Sequence, residues 1–524
     1  MPPPEAAVNQ SQSTGASPSP HDSAGWIPWL TLILLLASGT IIRFLCLTRK
    51  PFWFDEFFSV EVAQISWGNF LRLLWWREAN MSLYYLLLRI WLQFGHSEFY
   101  IRSLSVVIAA ATIPAIYWLA RLLYDRRVAL IAAALFTFSA YSIRYSQEAR
   151  SYALFLLLAT LSSGFLIALV REPVRRNRVG YVLISILAVY AHFYALLLPA
   201  AQWLSLRWLG SGESRNDGDR LSAQLRRAWT TIGVAVLPLL VFVAKTGAGP
   251  IRWIQRPGFH DIFGFFVNLA GSNRWPLLAV STVACIAAVA PLGRSLWTHG
   301  QTWETWRCQF LLLWLLFPVV LTVLLSFARP VFLARYMIFC LPALLILVAA
   351  GLARLRQSWL LMLALMGILL FSMQGVFFVY LNDFDAERDA SGAAAAFILD
   401  QAQPGDAVVF HIAATRVPYE FVRSQRTGEN TASPGFTVQV GPEILFPYHR
   451  AGLDYRDFTG KPTADFLRAA VPSHPRVWVM LMNNGPAENP DATTVMLTKT
   501  LPESLPRMQR WQFAKVEVLL YGKE

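Results

Sequence analysis

Apolar residues along this chain neither alternate nor confine themselves to one helical face; for long stretches they run without interruption. The first run, Ile27 to Leu47, holds about 21 residues, enough to cross a bilayer as one helix and more than the core of a cleavable leader. Further runs lie near 99–123, 128–144, 151–170, 180–191, 193–208, 228–246, 276–292, 309–328, 331–351 and 358–380, so the pattern predicts about eleven spans. "MSLYYLLLRIWLQF" (81–94) is apolar but short and holds Arg89, which predicts a helix lying at the membrane surface. Its stripe of Tyr84, Leu87, Leu88, Trp91 and Leu92 suits packing before substrate contact.

Past Leu381 the texture changes. "SGAAAAFILDQAQPGDAVVFH" reads as helix, Pro-Gly-Asp turn and strand (407–411). Further strands are expected at 476–482 and 514–522, with "TADFLRAAV" helical. The fold class is therefore a polytopic α-helical membrane protein with a C-terminal soluble α/β domain. Residues 1–25, rich in Pro, Ser and Ala, form a disordered tail; 26–380 form the membrane domain, with a long first loop at 48–98; 381–524 form the α/β domain.

Composition agrees: 55% of the 524 residues are hydrophobic and 15% charged, and the mean hydropathy is +0.43. The net charge of +13 does not point to nucleic acid, because the basic residues are dispersed among connectors rather than gathered on one face. The four cysteines lie in or beside apolar runs and form no Cys-x-x-Cys pair.

Arginine sets the orientation. The connectors at 121–127, 171–178, 207–227, 294–307 and 352–356 hold 16 Arg, whereas those at 144–150, 192–194, 245–274 and 329–335 hold 8 Lys and Arg together. The richer set is expected in the cytoplasm, which puts the loop at 48–98 and the C-terminal domain outside. Arg49 and Lys50, just after the first run, pull the other way, and the alternation outweighs them.

Four polar stretches on that outer side could carry chemistry. "FWFDEFFS" (52–59) sets Asp55 and Glu56 among aromatics, which either raise a carboxylate toward general-base strength or simply form an interfacial belt. "REANMSLYY" (77–85) offers Glu78, Asn80, Tyr84 and Tyr85, of which Glu78 and Asn80 are equally suited to helix capping. "YSIRYSQEARSYA" (141–153) crowds Arg144, Tyr145, Gln147, Glu148, Arg150 and Tyr152, where paired arginines suit a phosphate, although Arg150 can equally pair with Glu148. In "ARPVFLARYMIFCLP" (328–342), Arg335 beside Tyr336 stands inside an apolar run and needs a counter-charge or a phosphate. His192 and His260 fall on the same side; His260 is the one candidate metal ligand, and no spaced partner accompanies it.

In this order the four stretches resemble the polyprenyl-phosphate-sugar-dependent glycosyltransferases of the multi-spanning GT-C class, in the bacterial branch related to protein O-mannosyltransferases and to the lipid A aminoarabinose transferase. The matching elements are "FWFDEFFS", "NMSLYYLLLR" in place of a His-Pro-Pro-Leu-Tyr-Tyr element, "YSQEARSYAL" and "RPVFLARYMIFCLP", within residues 27–380. The resemblance implies a sugar donor on a polyprenyl monophosphate, transfer with inversion to a glycan, lipid or protein acceptor, and a bacterial inner-membrane location with the active site outside. It implies Asp55 as the catalytic base with Glu56 assisting, and Arg144, Tyr145, Gln147, Glu148, Arg150, Tyr152, Arg335 and Tyr336 around the donor phosphate and sugar; Glu78, Asn80, Tyr84, Tyr85 and His192 are further candidate substrate-binding residues. Because Asn80-Met81-Ser82 stands where relatives often carry His-Pro-Pro, a divalent metal ion remains an open expectation and no other cofactor is implied. A flippase of lipid-linked sugars and a non-catalytic scaffold are the rival classes. No inverted repeat or mid-span acid supports the flippase, and a scaffold has no use for Asp55.

Overall fold

The computed structural model describes residues 27–209, 215–247, 254–271, 275–299, 301–381, 388–427, 441–447, 460–482 and 490–523. The expected tail at 1–25 lies outside them. The chain opens with helix α1 (Ile27–Phe44), then three short helices, α2 (Phe54–Gln64), α3 (Trp67–Trp76) and α4 (Ser82–Trp91), in the first loop. Next come α5 (Glu98–Leu123), α6 (Arg126–Thr137), α7 (Ala140–Ser146), α8 (Tyr152–Arg171), α9 (Arg175–Ala191), α10 (Leu197–Leu206) and α11 (Arg215–Thr246). The bundle closes with α12 (Phe259–Gly271), α13 (Trp275–Val289), α14 (Pro291–His299), α15 (Trp303–Ala328), α16 (Leu341–Leu352) and α17 (Ser358–Leu381).

Seven helices among the described residues are long and apolar enough to span a membrane, and an eighth span results if α6 and α7, bent by 56°, count as one. That is fewer than the eleven expected. The first run and the run at 193–206 form shorter apolar helices, and α9 spends its first turn on Arg175, Arg176 and Arg178, which shortens its apolar part. A sequence window measures apolarity but not where a helix bends or begins.

Local signals explain the boundaries that matter. Ser97 caps α5 by accepting the Tyr100 amide, and Asp125 caps α6 by accepting that of Val128, so two helices follow one another with a sharp turn between. Thr302 and Thr305 form a reciprocal capping box on α15. Within the bundle α8 packs against both α5 and α9. At Gly164 the approach is so close that a Cβ would sit 2.2 Å from the Trp118 ring, which only glycine allows.

The C-terminal part holds a five-stranded sheet in the order β2-β1-β3-β5-β4, with β1 (Ala407–His411), β2 (Glu443–Phe446), β3 (Arg476–Met482), β4 (Arg507–Phe513) and β5 (Val516–Gly522). Strand β1 runs parallel to β2 and β3, and β5 is antiparallel to β3 and β4. Strands β1, β3 and β5 match the expected positions to within two residues; β2 and the exposed β4 were not anticipated. Gly405 at φ 87° makes the turn into β1, a conformation in which a side chain would be strained. Ala407 and Val409 pack on one face with Leu467, Leu497 and Leu501 of the helices α20 (Ala464–Ala470) and α21 (Ala492–Thr500) and the turn after α21. Val408 and Phe410 pack on the other face with Ala394, Ile398 and Tyr419 of α18 (Ser391–Gln401) and α19 (Arg416–Thr427), giving a three-layer sandwich.

The aromatic stretch around Asp55 is the seam between the two parts. Phe421 of α19 stacks on Phe52 at 5.7 Å and meets Phe57 edge-on at 5.1 Å. Gly392 lies where a Cβ would be 3.0 Å from the Phe57 ring. Neighbouring aromatics in this stretch therefore dock a domain rather than form only an interfacial belt.

Candidate functional site

Helix α2 carries Asp55 and Glu56 in its first turn, where the helix dipole favours acids. Consecutive helical residues point about 100° apart, and here the two carboxylates have different partners. Glu56 turns inward. It is fully buried, accepts a bidentate pair from Arg102 at 2.7 and 2.6 Å and the Ala149 amide at 2.9 Å, and lies 3.5 Å from Arg388. Burial alone would raise its pKa, but Arg102, Arg388 and the Ala149 amide together hold it below the usual carboxylate range. Glu56 was expected to assist catalysis. These contacts brace α2 against α5 and the Glu148–Arg150 turn.

Asp55 turns the other way. Its Oδ2 lies 3.4 Å from Arg150 Nη2 and 3.7 Å from Arg335 Nη2, and Arg150 Nη1 donates to the Asp55 carbonyl at 3.5 Å. The Asp55 side chain is 23% exposed, while its Oδ2, the oxygen facing both arginines, is buried and has no hydrogen-bond partner among the described residues. Arg335 thereby finds its counter-charge, and Arg150 pairs with Asp55 rather than with Glu148, which bonds Arg388 at 3.3 Å.

Around this trio converge further groups expected from the sequence. Tyr85, Tyr152 and Tyr336 lie within electrostatic reach of Arg150. Tyr145 meets Tyr152 at 5.1 Å, and Tyr336 meets His192 at 4.7 Å. His192 stacks flat on Phe155 at 4.9 Å, while its Nδ1 accepts the Tyr194 amide. Asn80 is not a cap of α4; its Oδ1 accepts the Phe193 amide at 3.0 Å and ties the first loop to the turn after α9. Glu78 is partly buried, and its pKa is raised to about 7 by burial and by the charge of Asp55, against the pull of Arg150. Among the buried polar atoms here, Asp55 Oδ2, Tyr85 Oη, Tyr152 Oη, Arg150 Nε and His192 Nε2 have no hydrogen-bond partner among the described residues. Buried polar groups seldom stay unmatched, so this grouping fits a polar ligand rich in oxygens.

Other candidates fall elsewhere. Tyr84 is buried and bonds Ser105 Oγ at 2.9 Å. Gln147 donates to the Arg43 and Leu45 carbonyls and to Tyr380, fixing the end of α1. Arg144 lies on the far side of the Glu56 bridge, in a recess lined with Arg102 and Arg388. His260 is exposed on α12, and no three His, Cys, Asp or Glu side chains among the described residues converge as a metal centre. Asp55 and Glu78 supply two carboxylates, and no third His, Cys, Asp or Glu ligand joins them among the described residues.

Three contributors escaped the sequence reading. Arg102 was signalled, as a charge at the start of an apolar run. Arg388 and Asp389 had no local signal, since they belong to the segment entering the α/β domain. Asp389 accepts the Phe54 amide with both oxygens, at 3.2 and 3.1 Å, and so caps α2 where Trp53 offers no side-chain cap.

The charges face inward at one end of a multi-helix bundle, completed by a first loop of short helices and an appended α/β domain, and solved structures share this fold. The chain superimposes on ArnT from Cupriavidus metallidurans in the apo state with a TM-score of 0.58 at 13% identity, covering 95% of this chain and 98% of that one. ArnT bound to undecaprenyl phosphate gives 0.57 at 12% identity over the same shares. The Archaeoglobus fulgidus oligosaccharyltransferase AglB, solved with an inhibitory peptide and a dolichol-phosphate, overlaps with a TM-score of 0.49 at 11% identity, over 76% of this chain and 64% of that one. By sequence the chain matches no family model and no curated protein.

Proposed function

We propose that the protein transfers a sugar from a polyprenyl-monophosphate carrier to an acceptor hydroxyl at the outer face of the bacterial inner membrane, with inversion at the anomeric carbon. The observation that carries this reading is the juxtaposition of Asp55 with Arg150 and Arg335. One partly buried carboxylate and two guanidinium groups share a space lined by the unmatched hydroxyls of Tyr85 and Tyr152. That ArnT, of the same fold, has been solved with undecaprenyl phosphate supports the carrier.

In this reading the carrier phosphate engages Arg150 and Arg335, leaving Asp55 available to the acceptor. Asp55 takes the proton of the acceptor hydroxyl as its oxygen attacks C1 from the face opposite the phosphate. The C1–O bond breaks with its electron pair going to the phosphate oxygen, whose growing charge the two arginines stabilise. Tyr85, Tyr152, Tyr336 and His192 offer donors and acceptors to sugar hydroxyls.

The test is full-length protein in lipid nanodiscs, supplied with radiolabelled polyprenyl-phosphate sugars and candidate acceptors. Transfer by wild type, with a loss of at least about 1,000-fold in Asp55→Asn and retained donor binding, is expected. Lipid-linked sugar crossing the bilayer in vesicles without any acceptor would favour the flippase; equal transfer by the Asp55→Asn variant would remove Asp55 as base.

A further inference from the structure

His192 holds its imidazole in one tautomer. It heads the turn Phe193–Leu196 after α9, and its Nδ1 accepts the Tyr194 amide at 3.2 Å. A backbone N–H can only donate, so Nδ1 is bare and the proton of the neutral ring sits on Nε2. Burial and the charges of Arg150 and Arg335 push the pKa of His192 down to about 3, which keeps the ring neutral at physiological pH. Asn80 secures the same turn from the first loop by accepting the Phe193 amide at 3.0 Å. Aromatic neighbours fix the ring plane: Phe155 stacks on it at 4.9 Å with 4° between the planes, and Tyr336 and Tyr194 meet it steeply at 4.7 and 5.5 Å.

The Nε2–H is therefore a donor of fixed position on a fully buried side chain, with no partner among the described residues. The Tyr152 ring lies 6.5 Å from the His192 ring, and its Oη is likewise buried and unmatched. An N–H needs a lone pair, whereas a phenol can donate or accept. A hydroxyl suits both atoms at once, accepting from His192 and donating to Tyr152. An ammonium has no lone pair and would set donor against donor at Nε2. Leaving such a buried atom unmatched costs more than an ordinary hydrogen bond contributes. Both side chains lie within electrostatic reach of Arg150 and Arg335, so a group that matches them belongs to a ligand held at those arginines.

We propose that His192 and Tyr152 form a specificity-determining subsite for the donor sugar, with one sugar hydroxyl between them, so that the transferred sugar carries a hydroxyl and not an amine at that position. The inference deepens the transferase reading and rests on it for the identity of the ligand.

Binding tests this apart from turnover. Full-length protein in nanodiscs is titrated with undecaprenyl-phosphate-linked glucose, galactose, mannose and arabinose, with undecaprenyl phosphate as the sugarless reference. For the tightest binder, the analogues with each hydroxyl replaced by hydrogen or by an amine are then compared. At one position both replacements should weaken binding by at least about tenfold. His192→Asn, whose Oδ1 can still accept the Tyr194 amide but whose side chain falls short of Nε2, should lose that discrimination, and Tyr152→Phe should reduce it at the same position. His192→Gln, which returns an N–H to the place of Nε2, should recover it. Unchanged binding of undecaprenyl phosphate shows that each variant is folded. Equal affinity of the wild type for every analogue, as a buried water between the two atoms would give, overturns the proposal, as does discrimination that survives in both His192→Asn and Tyr152→Phe. Sugar transfer by the wild type alongside such a result leaves the transferase reading standing, whereas discrimination as expected without transfer to any acceptor removes that reading alone.

Discussion

The carboxylate of Asp389 caps the backbone of Phe54 across 335 residues of sequence, accepting that amide at 3.2 and 3.1 Å. Phe54 begins the helix that presents Asp55, so the first residues of the α/β domain fix the orientation of the candidate base. Replacing a capping Asp by Ala costs about 1 kcal/mol, and misplacing a reacting group by a fraction of an ångström costs more in rate than in stability. Asp389→Ala should lower the thermal midpoint modestly and the single-turnover transfer rate by about tenfold or more, while Asp389→Asn, which keeps one acceptor oxygen, recovers most of the rate. Full activity in Asp389→Ala would mean that α2 is held elsewhere.

In the proposed reading, Arg150 and Arg335 hold the carrier phosphate. Arg150→Ala and Arg335→Ala should each weaken binding of a non-hydrolysable polyprenyl-phosphate analogue by about tenfold or more, the range of one charge-assisted bond. Calorimetric titration in nanodiscs checks this. Unchanged affinity in both variants would contradict the phosphate assignment.

The Glu56–Arg102 pair, 0% and 1% exposed, is the buried joint of the site. Removing one partner strands the other, at a cost of about 3–5 kcal/mol. Glu56→Gln and Arg102→Met should each lower unfolding midpoints strongly, and the double variant should lose less than the sum. Additive losses in this double-mutant cycle would show that the two side chains act independently.

Glu78 gives the pH dependence its sign. Its folded-state pKa, raised to about 7 from an ordinary 4.5, means that the folded protein holds this proton more tightly than the unfolded chain. Its contribution to stability is therefore fully present below pH 4.5 and is lost as pH rises toward 7. Above pH 7 the carboxylate competes with the donor phosphodiester for Arg150, and the phosphodiester does not itself titrate there. Donor-analogue affinity should fall as pH rises through about 7, and the Glu78→Gln variant should lack that step.

The membrane class, the first loop with its acids and the helix-turn-strand at 391–411 were legible in the sequence, because apolar run length, turn residues and strand composition act over a few neighbours. Asp55, Arg150 and Arg335 were also legible as unusual charges beside apolar runs, since each such charge needs a partner. Which partner it takes was not. Asp55 and Glu56 are adjacent and chemically alike, yet a 100° turn of helix hands one to Arg150 and Arg335 and the other to Arg102 and Arg388. The bent pair α6–α7, the cap from Asp389 and the docking of Phe421 on Phe52 join residues tens to hundreds of positions apart. Local pattern determined what each segment is, and the packing of distant segments decided which arginines each acid meets, because ion pairing and desolvation depend on distances that only the folded chain sets.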